Sequence, residues 1–236
     1  MQNLLRLGRP LLGIGVAVIG FLSLVFRDAV PGLEPIPATL PGHLVLTLLV
    51  SGVLIAAGAS LALNWHAPLG AAAVTTVSVL WLLLLHLPVL AGDAANPLLL
   101  TAAAQTLMLA AASAFAWATL PRPHPAPPPL MREDRLATAS RIAFALPLFA
   151  FGALHFRYHV AVSGMIPHQV PARAWWPYAT GLAFLAAGAA IVTRTRARLA
   201  ASLLGAMFAA WVFLVHWPRV VANPGSQLEW TGLALA

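Results

Sequence analysis

Seven apolar stretches of roughly bilayer-spanning length, parted by short polar turns, leave this chain few folds to adopt. They run at about 10–26, 43–63, 69–91, 97–118, 140–157, 175–192 and 198–217, and an eighth begins near 228 and stops at Ala236. About 20 apolar residues in an α-helix cross the roughly 30 Å hydrocarbon core of a bilayer. Hydrophobic residues make up 61% of the chain and charged residues 8%, against about 25% charged in soluble domains. One soluble core cannot bury that much apolar surface, so lipid is the expected solvent. The fifth and sixth stretches are short and predict tilted or partly sunken helices.

The stretches form a repeat. With a constant offset of 130 and no gap, residues 21–89 fall on 151–219. Phe26-Arg27 matches Phe156-Arg157, Pro37 and Pro41 match Pro167 and Pro171, and Ala56–Ala59 matches Ala186–Ala189. Trp81, His86 and Pro88 match Trp211, His216 and Pro218. Internal symmetry of this size in an apolar chain predicts a duplicated helical bundle. The expected fold class is all-α: a polytopic membrane protein of two tandem four-helix units in parallel orientation, the last helix truncated. The expected boundaries are 1–119 for the first unit, 120–135 for a cytoplasmic linker and 136–236 for the second unit. The linker is Pro-rich (Pro121, Pro123, Pro125, Pro127, Pro128, Pro129) and predicts an extended, semi-rigid tether.

The chain has no Cys and no Lys, so all 13 basic side chains are Arg. That excludes disulfides, thiol relays and thiolate metal sites. The net charge of +7 does not imply nucleic acid, because the Arg residues sit in short turns and form no basic face. They set topology instead. Arg6, Arg9, Arg122, Arg132, Arg135, Arg141, Arg194, Arg196 and Arg198 fall on one side, against Arg27, Arg157, Arg173 and Arg219 on the other. The positive-inside rule puts the larger group, and the N-terminus, in the cytoplasm. The first apolar stretch shows no small-residue cleavage site and reads as a retained helix.

The candidate site residues follow from the repeat. Phe-Arg, an Ile-Pro-x-x-x-Pro loop and Trp-x4-His-x-Pro recur in both halves, all on the outer side of this topology. In the first half Arg27 with Asp28, or Glu34 with His86, pairs polar groups near the membrane. The second half adds His155 and His159, four apart, His168 in the Pro loop and His216. Two readings of these histidines stand: interfacial residues bonded to carbonyls and water, or ligands to a metal, haem or proton path. Arg27 and Arg157 are likewise head-group anchors or binders of an anionic or carbonyl-bearing ligand. Trp175, Trp176, Tyr178, Trp217 and Trp230 read as an interfacial belt, and the Ala-Ala-Gly-Ala pairs as close helix contacts. No nucleophile–base pair, phosphate loop or paired-carboxylate motif is present.

The second half also resembles a known family. Ala153-Leu154-His155-Phe156, Ile166-Pro167, Val170-Pro171, Tyr178-Ala179-Thr180-Gly181, Ala186–Ala189 and the run from Arg196 resemble the DoxX family of four-helix membrane proteins. The resemblance covers about 140–220, with the first half as a diverged copy. It implies a small subunit of a kind associated with quinone-linked sulfur oxidation and oxidative-stress complexes, many members having no assigned activity. His155, Pro167 and Pro171 are the family-like positions, with no catalytic role carried over.

The leading expectation is therefore a DoxX-like subunit of the bacterial cytoplasmic membrane, not an enzyme on its own. It binds a small apolar ligand near the extracytoplasmic face, a quinone before haem. His155, Arg157, His168, His216, Trp211, Arg27 and His86 are the expected ligand-binding residues. The partners are lipid and a redox or membrane protein. The alternative is a non-catalytic assembly protein whose outer loops dock a partner. A transporter ranks last, because ionisable residues cluster at helix ends.

Overall fold

The computed structural model describes residues 2–37, 39–121 and 133–235, with backbone alone for 2–6 and 133. Among them every regular element is helical. Seven helical segments among the described residues are long and apolar enough to span a bilayer: Leu7–Phe26, His43–Leu63, Ala67–Gly92, Pro97–Thr119, Asp134–Arg157, Trp176–Thr193 and Ala197–Ala222. Their outward residues are large and apolar, as Leu49 (65% exposed) and Phe213 (71%) show. Side chains of this kind face lipid, and the protein is a multi-pass helical membrane protein. The chain divides into two compact units, Met1–Phe144 and Ala145–Ala236. Most of the expected linker, with Arg122, His124 and Arg132, lies outside the described residues.

In the first unit, α1 (Gln2–Phe26) packs along α2 (His43–Leu63). Lipid tails are as apolar as leucine, so close backbone approach has to supply the attraction. Gly13, Gly20 and Gly58 provide it. A Cβ on Gly58 would come within 2.5 Å of the Ala17 amide nitrogen and the Gly13 carbonyl oxygen, and one on Gly20 within 2.7 Å of the Ser51 carbonyl oxygen. The small-residue contact expected at 56–59 is thus real at Gly58. Helix α3 (Ala67–Trp81) packs on α2 and on α5 (Pro97–Thr119). There Thr75 donates to Ser113 Oγ at 3.0 Å.

The third span is not one regular helix. After α3 comes a π-helical turn, Leu82–His86, then α4 (Leu87–Gly92). The Leu87 amide reaches back five residues to the Leu82 carbonyl. Pro88, one residue further on, has no amide hydrogen to donate, and the widened turn accommodates it. Asn96 caps α5, its Oδ1 accepting from the amides of Leu98 at 3.0 Å and Leu99 at 3.4 Å, with Pro97 at the first helical position.

The second unit holds the C-terminal part of α6 (Glu133–Arg157), then α7 (His159–Met165), α8 (Trp176–Thr193), α9 (Ala197–Trp211), α10 (Trp217–Ala222) and α11 (Gln227–Leu235). The fifth span is longer than the apolar run suggested, because its polar start from Glu133 is helical too. Several irregularities fall 130 residues after those of the first unit. A π-helical turn occupies Val212–His216 before Pro218. Arg194 and Arg196 hold left-handed conformations, as Asn64 and His66 do. Val170 N donates to the Pro167 carbonyl as Leu40 N does to that of Pro37. One stretch departs: Arg27 (φ 54) ends α1, whereas α6 runs through Arg157 and is followed at once by α7.

The glycine contact yields a direct test. Gly58→Ala is expected to destabilise the purified protein by about 1–3 kcal/mol, the cost of overpacking. Gly52→Ala, with nothing within 4 Å of the added Cβ, is expected to cost nothing. Thermal unfolding in detergent distinguishes the two.

Candidate functional site

The loop between α1 and α2 folds down onto the first unit. Ala29 and Val30 are buried, Leu33 is 0% exposed and Glu34 3%. A short turn holds them there, Leu33 N and Glu34 N both donating to the Val30 carbonyl. At the loop's margin, Asp28 Oδ1 accepts from Ala29 N at 2.8 Å and lies 3.4 Å from His43 Nε2.

His86, in the π-helical turn, fastens this loop. Its Nε2 lies 2.9 Å from the Leu33 carbonyl oxygen and 2.9 Å from Thr106 Oγ1. A carbonyl only accepts, so Nε2 must carry the hydrogen and the imidazole is the Nε2–H tautomer when neutral. Thr106 passes its own proton to the Ala102 carbonyl at 3.0 Å. One buried imidazole thereby ties the loop to α5.

Next to it, Glu34 Oε2 accepts from Val30 N at 3.0 Å and lies 3.5 Å from Ser23 Oγ. Its other oxygen, Oε1, is buried without a hydrogen-bond partner among the described residues, as is Thr47 Oγ1. Burial pushes the Glu34 carboxyl up to about 7, against the smaller opposing effect of its hydrogen bonds with Val30 and Ser23. Near neutral pH this side chain is both a proton carrier and a hydrogen-bond donor. The sequence offered Glu34 as a partner for His86; instead Glu34 bonds Val30 and Ser23, and His86 bonds Leu33 and Thr106.

The second unit is built differently. His155 Nδ1 donates to the Phe151 carbonyl at 2.8 Å, one turn back in α6, and its ring meets the edge of Phe184 at 5.2 Å. Arg157 is exposed, its guanidinium 5.7 Å from the Tyr158 ring. The face expected to join His155 and His159 is interrupted at Tyr158 (φ −115, ψ 32). His159 instead bonds the Phe156 carbonyl at 3.2 Å and stacks on Tyr178. His168 is exposed. Trp211 makes an edge contact with Trp176 at 5.5 Å. His216 lies against Gly232 of α11, where a Cβ would stand 3.1 Å from its Nδ1. Near it Arg219 and Glu229 form a two-pronged ion pair at 2.7 and 2.8 Å.

Among the described residues, no hydrogen bond or ring contact joins any two of His155, Arg157, His168 and His216, and no three His, Asp or Glu side chains gather as a metal site. Arg27 is exposed at the end of α1. Two open clefts, of about 500 Å³ by Arg9, Asn64 and Trp65 and about 380 Å³ between α8 and α9, are lined by none of the seven expected residues. Of the seven, His86 is hydrogen-bonded between the loop and α5, and His216 lies beside the Arg219–Glu229 pair.

With the geometry in place, comparison with known proteins adds one match. A family described as Domain of unknown function (DUF8561) matches residues 144–231, so the second unit is similar to it. No curated protein and no solved structure matches.

Glu34 sets a pH dependence. Its folded value, near 7, lies above the ordinary 4.5, so the folded protein binds the proton more tightly than the unfolded one. Stability therefore falls as pH rises from 4.5 to 7, by roughly 3 kcal/mol from this group, and is flat beyond. Glu34→Gln is expected to flatten that slope in thermal unfolding followed from pH 4.5 to 8. His86→Ala, which leaves the Leu33 carbonyl without its donor and cuts the tie between the loop and Thr106, is expected to cost about 2 kcal/mol and more than His216→Ala.

Proposed function

We propose that this chain is a DoxX-like, multi-pass subunit of the bacterial cytoplasmic membrane with no catalysis of its own. In this reading it is two four-helix units in tandem and parallel orientation, with the N-terminal arginines on the cytoplasmic side. Its extracytoplasmic rim docks a partner protein, and the partner brings any redox chemistry. The observation that carries the reading is the separation of the second-unit residues. His155 is spent on its own helix, while Arg157 and His168 point outward without converging on a ligand. Exposed cations and imidazoles at a membrane rim suit an acidic partner surface, where charge complementarity sets encounter and register. The matched π-helical turns and Pro loops support the duplication.

The chain's lack of Cys makes its topology easy to test. Single substitutions Arg27→Cys and Arg157→Cys are expected to react with an impermeant thiol reagent from outside the cell, and Arg9→Cys and Arg196→Cys only after lysis. Labelling of Arg27→Cys and Arg157→Cys from opposite faces sinks the parallel duplication. For docking, the protein solubilised from its own membrane is expected to run as a larger species on native gels. The double variant Arg157→Glu/His168→Glu is expected to lose that species while unfolding at an unchanged temperature.

A second reading has one observation in its favour: the unpartnered, buried Glu34 Oε1 beside the His86 cluster. A small apolar ligand with a carbonyl end, of the quinone class, would accept a hydrogen bond from the protonated carboxyl there. Quinone enriched in the purified protein and lost in Glu34→Ala supports it; equal quinone in both opposes it. A Soret band in the purified protein would mark haem instead.

A further inference from the structure

The cleft between α8 and α9 belongs to neither reading. It holds about 380 Å³, and Ala183, Ala186, Ala190, Leu199, Leu203 and Met207 form most of its wall. Alanines on α8 leave space that the larger side chains of α9 do not close, and Ala183, Ala186 and Leu203 are all exposed. The groove is apolar along its length and polar at one end, where Thr195 and Arg196 enter its wall. From the start of α9 at Ala197 to Met207 it follows about 15 Å of helix, at 1.5 Å per residue. Half of a roughly 30 Å hydrocarbon core is about 15 Å, so the groove matches one leaflet in depth, with its polar mouth at head-group level.

The charge at that mouth is of one sign. Arg194, Arg196 and Arg198 lie within five residues, all exposed, and among the described residues no carboxylate pairs with any of them. Left-handed backbone at Arg194 (φ 61) and Arg196 (φ 52) keeps the turn tight; Arg196 lines the groove itself, and Arg194 and Arg198 stand two residues to either side of it. Guanidinium is the side chain best shaped to grip a phosphate with two hydrogen bonds.

We propose that the α8–α9 groove holds one acyl chain of an anionic phospholipid, whose phosphate sits among Arg194, Arg196 and Arg198. The site needs both parts: the alanine-lined channel for the chain and the arginine turn for the head group. It stands apart from the rim-docking and quinone readings, because it uses none of their residues.

The full-length protein in nanodiscs of phosphatidylcholine with one-tenth phosphatidylglycerol gives the test, by native mass spectrometry of the lipids retained on release. Phosphatidylglycerol is expected to be retained over phosphatidylcholine. Arg194→Gln/Arg196→Gln/Arg198→Gln is expected to lower that preference at least about fivefold, the factor one near-surface basic charge supplies. Ala186→Phe, which fills the groove from an exposed position, is expected to lose retained lipid with all three arginines intact; Ala183→Leu repeats the test should Ala186→Phe fail to fold. Glycerol phosphate, a head group without chains, is expected not to compete. Equal retention of the two lipids, full retention in both groove-filling variants, or competition by glycerol phosphate overturns the proposal. So does a wild-type dimer that Ala186→Phe converts to monomer, which assigns the groove to a second copy.

Discussion

Helices surrounded by lipid gain nothing by hiding apolar surface from one another, and the first unit answers that constraint with contact between backbones. Gly13 and Gly20 on α1 and Gly58 on α2 let the two chains approach until a single added carbon would collide with main-chain atoms. The rest of the unit rests on this pairing. The loop between their ends folds back onto the unit. Leu33 and Glu34 can then be buried, and His86 can reach the loop's carbonyl. The second unit has a looser counterpart: Gly188 faces the Phe149 ring and Gly152 the Leu185 side chain. Side chains stand nearest at both glycines, with the Gly181 carbonyl oxygen 3.0 Å from a Cβ on Gly152.

Much of the fold was legible because lipid imposes simple rules. Length and hydropathy locate the seven spans, and the Trp-x4-His-x-Pro pattern falls on the two π-helical turns. That the pattern widens the helix was not legible, since hydropathy carries no hydrogen-bond register. The candidate site was legible in residue type and poorly legible in geometry. His86 and His216 share a motif, yet one is fixed by Leu33 and Thr106 and the other lies against Gly232 beside an ion pair. The difference comes from their neighbours. The offset of 130 puts Ala236, without a hydroxyl, where the first unit has Thr106. The spacing of His155 and His159 suggested a shared face, but Tyr158 leaves helical geometry between them, and one backbone torsion outweighs the pattern.

Matching irregularities therefore surround different polar chemistry. The first unit buries a carboxyl, an imidazole and several hydroxyls, with Glu34 standing where the offset places Gly164. The second spreads its imidazoles over separate partners and keeps its carboxylate, Glu229, in a surface-reaching pair with Arg219.

The π-helical turns change the phase of the helices that carry them. An α-helix advances about 100° per residue, so the one extra residue in each widened turn rotates everything beyond it by that angle relative to an uninterrupted rod. Side chains before Leu82 and after His86 thus obey two different helical wheels. Deleting one residue from 82–86 would leave the span's apolar character intact while swinging Pro88 and the start of α5's connecting turn a quarter-circle around the axis. The span tolerates insertion and deletion at this point more readily in its length than in its direction.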